Sequence, residues 1–338
     1  MTAITFRPAR PLSHEAPAQN RQPYQQAAPP LFRFPSLTTT VPKEFVHRAA
    51  VAEVMLTDWK RKDNTHFTVT AQWPRGHSFF SPIGPHHDPM LAAETIRQTG
   101  SLLAHAEFGV PLGHHFLMRD LHYTVDPDHI LTADTPATLH IDVTCTDIKQ
   151  RGSTLTGLRY ETVIHRDGHP AAHGSASYTC TTPAVYQRLR AHHTTHTPLP
   201  LTTPATPHTV GRTTPTDVVL TPTTTPHQWQ LRADTSHPIL FDHPVDHIPG
   251  MLLLEAARQA ANATPDTPTP LLPTTTTTHF HHYAELHTPC TIHTTTTHTT
   301  PTHTTLHITG HQNTTPIFTT TLTTPHTTTP TTTRHTTT

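Results

Sequence analysis

The chain has 338 residues, 22 Lys and Arg against 23 Asp and Glu, and a formal net charge of −1. That balance argues against nucleic acid or an anionic membrane as its main partner, and the length suits two domains of ordinary size. Three scattered cysteines, Cys145, Cys180 and Cys290, are too few for a disulfide framework or a cysteine-based zinc site, and no run approaches a membrane span. A cytoplasmic protein without a signal peptide is the expectation.

Residues 1–43 are rich in Pro and poor in apolar periodicity, which predicts a disordered N-terminal extension. Regular pattern begins near Val46. Residues 51–59 are compatible with a short strand, and residues 65–73 alternate, with Phe67, Val69, Ala71 and Trp73 on one face. After a Pro-, Gly- and His-rich loop comes a helix over about 89–108, apolar on nearly every side. Strands follow over 114–125 and 137–145, the latter with Ala137, Leu139, Ile141, Val143 and Cys145 on one face. Two more, over 153–165 and 171–181, are joined as a hairpin by Arg166-Asp167-Gly168. This makes a first domain over 44–182.

Residues 183–207 read as a linker by composition, and then the same order restarts over 208–325. Val46-x-Arg48 is echoed by Val210-x-Arg212, Glu53-Val54-x-Leu56 by Asp217-Val218-x-Leu220, and the alternating strand by Trp229, Leu231 and Ala233. A second apolar helix is expected at 249–262, then strands at Phe280–Leu286, Cys290–Thr294, Thr305–Thr309 and Ile317–Leu322. Thr dominates this half; Thr favours strands, but it leaves a thin apolar face, so the second unit is expected to be the less stable. The tracts Thr274–Thr278 and Thr294–Thr297 verge on low complexity. His279, His281 and His282 rise together with Thr and Pro as compositional drift, so no metal site or cofactor is expected, and residues 326–338 read as a disordered tail.

The two helices carry the chemistry. Each holds one Glu in an apolar surface, with Arg three and Gln four residues later: Glu94, Arg97 and Gln98 in the first, Glu255, Arg258 and Gln259 in the second. That spacing places all three on one helix face. A buried carboxylate must be paired, hydrogen-bonded or protonated. A structural ion pair within each core helix is the plain reading, and its duplication favours a functional one.

A strand-rich unit with one buried helix, made twice, predicts an α+β tandem (double) hotdog: two antiparallel sheets, each wrapped round a central helix, forming a pseudo-dimer within one chain. The stretches VHRAAVAEVMLTDW, FTVTAQWPRGHSFFSP, HDPMLAAETIRQTGSLLAHAEFGVPLGHHFLMRDLHY and FDHPVDHIPGMLLLEAARQAA resemble the A-factor biosynthesis (AfsA-type) hotdog family of γ-butyrolactone synthases, over roughly residues 44–290. The resemblance implies transfer of a β-ketoacyl group from an acyl carrier protein thioester to the hydroxyl of dihydroxyacetone phosphate. A dehydratase or thioesterase on the same fold, or a non-catalytic acyl or lactone binder, are the alternatives, and a homo-oligomer is left open. On this reading a buried Glu with a raised pKa is the base, Glu255 before Glu94. Gly250, at a Pro-Gly helix start, offers backbone N–H groups to the thioester oxygen. Arg97 and Arg258 hold the Glu or the phosphate, Gln98 and Gln259 bind substrate, and His243, in the loop before the second helix, joins the catalytic set. His77, His86, His87 and His247 are loop histidines without an assigned role.

Overall fold

The computed structural model describes residues 37–152, 154–191, 197–264 and 270–326. The extension before residue 37, part of the expected linker and the tail after 326 lie outside the described residues.

The first half contains β1 (Leu56–Arg61), β2 (His66–Trp73), α1 (Met90–Ala106), β3 (His115–Val125), β4 (Ala137–Arg151), β5 (Thr154–Arg166) and β6 (His169–Thr181). A helix α2 (Pro183–Arg190) follows. The second half contains β7 (Leu220–Pro222), β8 (Gln228–Leu231), α3 (Gly250–Asn262), β9 (Thr275–Phe280), β10 (Cys290–Thr299), β11 (His303–Gln312) and β12 (Thr315–Pro325). Among the described residues these strands form one antiparallel sheet in the order β1-β2-β4-β5-β6-β3-β9-β12-β11-β10-β8-β7. Numbered within its own half, each strand has its counterpart at the mirrored place in that order, which is the signature of a pseudo-twofold. The seam is β3 on β9, from Asp120 opposite His279 to Thr124 opposite Thr275. Continuing one sheet across the halves pairs two edges that would otherwise be exposed.

The strands form where alternation demands it. Phe67, Val69, Ala71 and Trp73 of β2 and Ala137, Leu139, Ile141, Val143 and Cys145 of β4 are all buried in one core. Asp167 and Gly168 both take positive φ, 51° and 81°, in the two-residue β5–β6 hairpin. α1 is gripped by tyrosines: Tyr160 donates to the Ile96 carbonyl at 2.7 Å and Tyr178 to that of Gly100 at 2.9 Å. Gly100 permits the first grip, because a Cβ there would sit 2.5 Å from the Tyr160 hydroxyl.

Three expectations change. The strand read at 51–59 begins only at Leu56, since Val51–Glu53 is a short 3-10 turn. The strand read at Phe280–Leu286 lies earlier, as β9, inside the Thr tract. There Thr276 and Thr278 alternate inward in place of aliphatic residues, and Thr278 pairs with Thr320 of β12 through their hydroxyls at 2.8 Å. The stretch read as a linker opens with α2: Pro183 starts it, and the Thr182 hydroxyl accepts the Val185 N–H at 3.3 Å as N-cap. No described helix is long and apolar enough to cross a membrane.

Candidate active site

Each central helix holds its Glu in the same cage. Glu94, buried, accepts from Gln98 at 2.7 Å and from Arg97 Nε and Nη2 at 2.9 and 2.7 Å. Arg48 adds Nε at 3.0 Å and Nη2 at 2.7 Å. Gln98 is fixed in turn by the Met55 N–H and the Glu53 carbonyl, at 2.9 and 2.7 Å. In the second half Glu255 accepts from Gln259 at 2.5 Å, from Arg258 Nε and Nη2 at 3.0 and 2.6 Å, and from Arg212 Nε at 2.8 Å. Arg212 Nη2 lies 2.8 Å from the same carboxylate, close enough for an ion pair but off the hydrogen-bond direction. Gln259 is held by the Val219 N–H at 2.9 Å and the Asp217 carbonyl at 2.8 Å.

This geometry overturns the raised pKa expected for the glutamates. Burial alone pushes the Glu94 carboxyl up, but Arg48, Arg97 and the hydrogen bonds from Arg97 and Gln98 outweigh it and hold it at about 2. Glu255 is likewise held below its ordinary value: burial opposes, and Arg212 and Arg258 prevail. A carboxylate saturated by guanidinium and amide donors takes no proton near neutral pH. Both glutamates are anchors for arginines.

A cavity of about 540 Å³ opens between the halves. Arg48, Arg97 and Ser101 line it from the α1 side, and Pro249, Gly250 and Met251 from the start of α3. Of the residues singled out from the sequence, Arg97, Gly250 and His243 meet here; Glu94 and Gln98 stand behind Arg97. Glu255, Arg258 and Gln259 do not line it. Arg258 is instead joined to Asp88, at the start of α1, by Nη1 at 2.6 Å. The cavity wall therefore combines the Glu-bound arginine of one half with the helix start of the other. Gly250 is not demanded by space, since a Cβ there would make ordinary contact with Phe280 at 3.4 Å.

His243 lies on the cavity rim, its side chain 45% exposed, with Nδ1 3.2 Å from Asp242. His247, a loop histidine, also lines the cavity. Its Nδ1 is 2.8 Å from Asp246 Oδ1. A carboxylate at neutral pH only accepts, so Nδ1 carries a proton, and in the neutral ring it is Nε2 that holds the lone pair. Asp246 is pinned by the Tyr186 hydroxyl and by Arg190 Nε at 3.1 Å. Arg190, 2% exposed, also binds Glu285 at 2.5 Å and lies 4.6 Å from the centre of the Tyr283 ring. Both Tyr186 and Arg190 come from α2. These contacts hold the Asp246 carboxyl well below the carboxylate range, against the effect of its burial.

His47, missed from the sequence, is a further wall residue. His105 Nδ1 is 2.7 Å from the Val110 carbonyl, so its Nε2 accepts from His47 Nε2, also at 2.7 Å. Burial, then Arg97 and His105, hold His47 at about 3, so it is neutral.

Two helices cradled in two halves of one sheet, with a polar-edged apolar cavity between them, make this a double hotdog protein. The chain belongs to the A-factor biosynthesis hotdog domain family, whose description matches residues 33–182 and 193–328. It is 51% identical over 283 residues to a 2-oxo-3-(phosphooxy)propyl 3-oxoalkanoate synthase of Streptomyces virginiae, spanning 83% of this chain and 96% of that one. Synthases of the same name from Streptomyces coelicolor and Streptomyces griseus are 43% and 40% identical, over 81% and 74% of this chain and 88% and 83% of theirs.

Proposed function

We propose that this chain is an acyltransferase of γ-butyrolactone signal synthesis, moving a 3-oxoacyl group from an acyl carrier protein thioester to the hydroxyl of dihydroxyacetone phosphate. The observation that carries the reading is the composite cavity: it brings a histidine–aspartate pair, helix N–H groups without a partner among the described residues and two arginines to one apolar chamber, in a chain that matches such synthases over most of its length. The apolar wall, with Leu253, Leu254 and Phe116, suits the acyl chain.

In this reading His247 Nε2 takes the proton of the attacking hydroxyl, and the oxygen adds to the thioester carbon. The Gly250 N–H, which has no partner among the described residues, supports the negative oxygen that forms. Collapse breaks the C–S bond, and the thiolate recovers the proton from His247, leaving ester and free thiol. Asp246, held by Arg190 and Tyr186, keeps the imidazole in the required tautomer. Glu94 and Gln98 hold Arg97 and Arg48 towards the phosphate; Glu255, Arg258 and Gln259 hold the halves together. Both substrates belong to cytoplasmic metabolism, and the enzyme works there without a cofactor.

The test is incubation with a 3-oxoacyl carrier-protein thioester and dihydroxyacetone phosphate, with products weighed by mass spectrometry. Phosphorylated ester supports the reading. Free 3-oxo acid would make the protein a thioesterase and no turnover a binder; loss of water from a 3-hydroxyacyl carrier-protein thioester, offered in a parallel incubation, would make it a dehydratase.

A further inference from the structure

The pseudo-twofold makes two copies of one arrangement, a helix start in one half facing the Glu-bound arginine of the other, and the copies differ. At the start of α1, Asp88 Oδ1 accepts the Met90 N–H at 2.9 Å, and Asp88 Oδ2 accepts Arg258 Nη1 at 2.6 Å. Asp88 is buried, and Met90 with it. This copy is occupied by the chain's own carboxylate.

With Glu94 superposed on Glu255, Pro249 stands at the position of Asp88, Gly250 at that of Pro89 and Met251 at that of Met90. The exchange removes the acceptor and adds a donor. Leu252 still donates to the Pro249 carbonyl at 3.0 Å, as Leu91 does to that of Asp88 at 2.9 Å, so the helix starts match. The Met251 N–H, the counterpart of Met90, has no acceptor among the described residues. Arg97, the counterpart of Arg258, spends Nε and Nη2 on Glu94 and Val46, and its Nη1 has no partner among the described residues. Both residues line the cavity. The nearby Asp242 carboxylate is turned away, accepting from the Ala49 and Ala50 N–H groups at 2.6 and 3.1 Å and facing His243 Nδ1 at 3.2 Å.

We propose that the Met251 N–H and Arg97 Nη1 form a subsite for a bidentate oxyanion, a phosphate ester, whose place and geometry Asp88 reproduces at the filled copy, and that the chain therefore has one working site. At the filled copy the two donors are met by two different oxygens of one carboxylate, a spacing that two oxygens on one centre match, as in carboxylate and phosphate, and that a single thioester oxygen does not. The identity of the ester rests on the function proposed above: the acceptor's phosphate, or that of the carrier's pantetheine arm. The subsite itself does not rest on it.

The test is calorimetric titration of the full chain with inorganic phosphate, dihydroxyacetone phosphate and 4′-phosphopantetheine, without any acyl donor. Wild type should bind phosphate at one site per chain. Arg97→Gln should weaken it about tenfold or more, an ordinary loss for one charge-assisted hydrogen bond. Pro249→Asp should abolish it while keeping or raising Tm, because the new carboxylate copies Asp88. Whichever ester binds more tightly than inorganic phosphate identifies the source. If wild type binds no phosphate, or binds two per chain, or if Arg97→Gln binds as wild type does, the proposal fails. Arg97→Gln decides alone should Pro249→Asp not fold. Turnover failing while phosphate binds would instead remove the acyltransferase reading and leave the subsite.

Discussion

Replacing Glu94 by Gln keeps the shape of the side chain and deletes its charge from between Arg48 and Arg97. In the folded protein the carboxyl is held at about 2 against an ordinary 4.5, with burial opposed and outweighed by the two arginines. At about 1.4 kcal/mol per pH unit, that depression corresponds to about 3 kcal/mol of folding stability at neutral pH. The independent expectation for breaking a buried ion pair is similar, ~3–5 kcal/mol, because two buried guanidinium groups lose their counter-charge. For the folded unit Thr39–Thr338, at about 2.1 cal/mol/K per residue, the loss lowers Tm by roughly 5 °C. The pH dependence has a definite sign. A carboxyl with a depressed folded pKa contributes its full stability above about 4.5 and loses it as pH falls towards 2. Melting curves of wild type and Glu94→Gln should therefore be separated by a constant interval from pH 7 to about 5 and converge below 4.5. A variant that melts within about 1 °C of wild type at pH 7, a margin of about half a kcal/mol, would refute the cage as a stabilising device. A gap that widens on acidification would refute the direction of the pKa.

The remaining predictions concern the site and the core. His247→Gln should lower kcat by about a hundredfold or more with little change in the KM for the acyl donor, the usual cost of a lost general base. Asp246→Asn should lower it less, because an amide no longer fixes the imidazole tautomer but leaves the ring in place. Glu255→Gln should destabilise much as Glu94→Gln does yet leave the remaining folded fraction nearly fully active, since Glu255 and Arg258 lie outside the cavity; steady-state assay after removal of unfolded protein separates the two effects. Gly174→Ala should cost about 1–3 kcal/mol by overpacking, because its Cβ would strike the Ile96 side chain and lie 2.8 Å from the His122 carbonyl; urea denaturation reads it. Cys145, Cys180 and Cys290, whose thiols burial pushes up to about 12, should resist Ellman's reagent in the native state and react only on unfolding.

How far the site was legible follows from what sequence spacing encodes. The pairing within each helix is local, three and four residues apart, so the Glu-Arg-Gln sets were readable as units. Which helix start each arginine faces is set across the pseudo-twofold, by contacts such as Arg258 on Asp88, 170 residues apart, and no local pattern carries that. The Pro-Gly start at Gly250 was legible as a source of backbone N–H groups, but the carboxylate that fills the matching place in the first copy, Asp88, shows only through its tertiary contact with Arg258. Arg48 and Arg212 were noticed only as marks of the repeat; an arginine kept at the same place in both copies was the available signal that each Glu has a second cation. α2 was hidden by composition, because its Pro start resembles a linker and its reason for existing, Arg190 holding Asp246 and Glu285, is wholly tertiary. β9 was hidden because Thr alternation looks like low complexity, although alternate threonines fill an inward face. The long alternating strands and the two apolar helices, by contrast, were legible, since burial on one face repeats every second residue and burial all round leaves no other helix pattern.

The most direct measurement follows thiol release from a 3-oxoacyl carrier-protein thioester with and without dihydroxyacetone phosphate. Release should require the phosphorylated acceptor and match, mole for mole, the phosphorylated ester formed. Equal release without the acceptor, with free 3-oxo acid as product, would contradict the account.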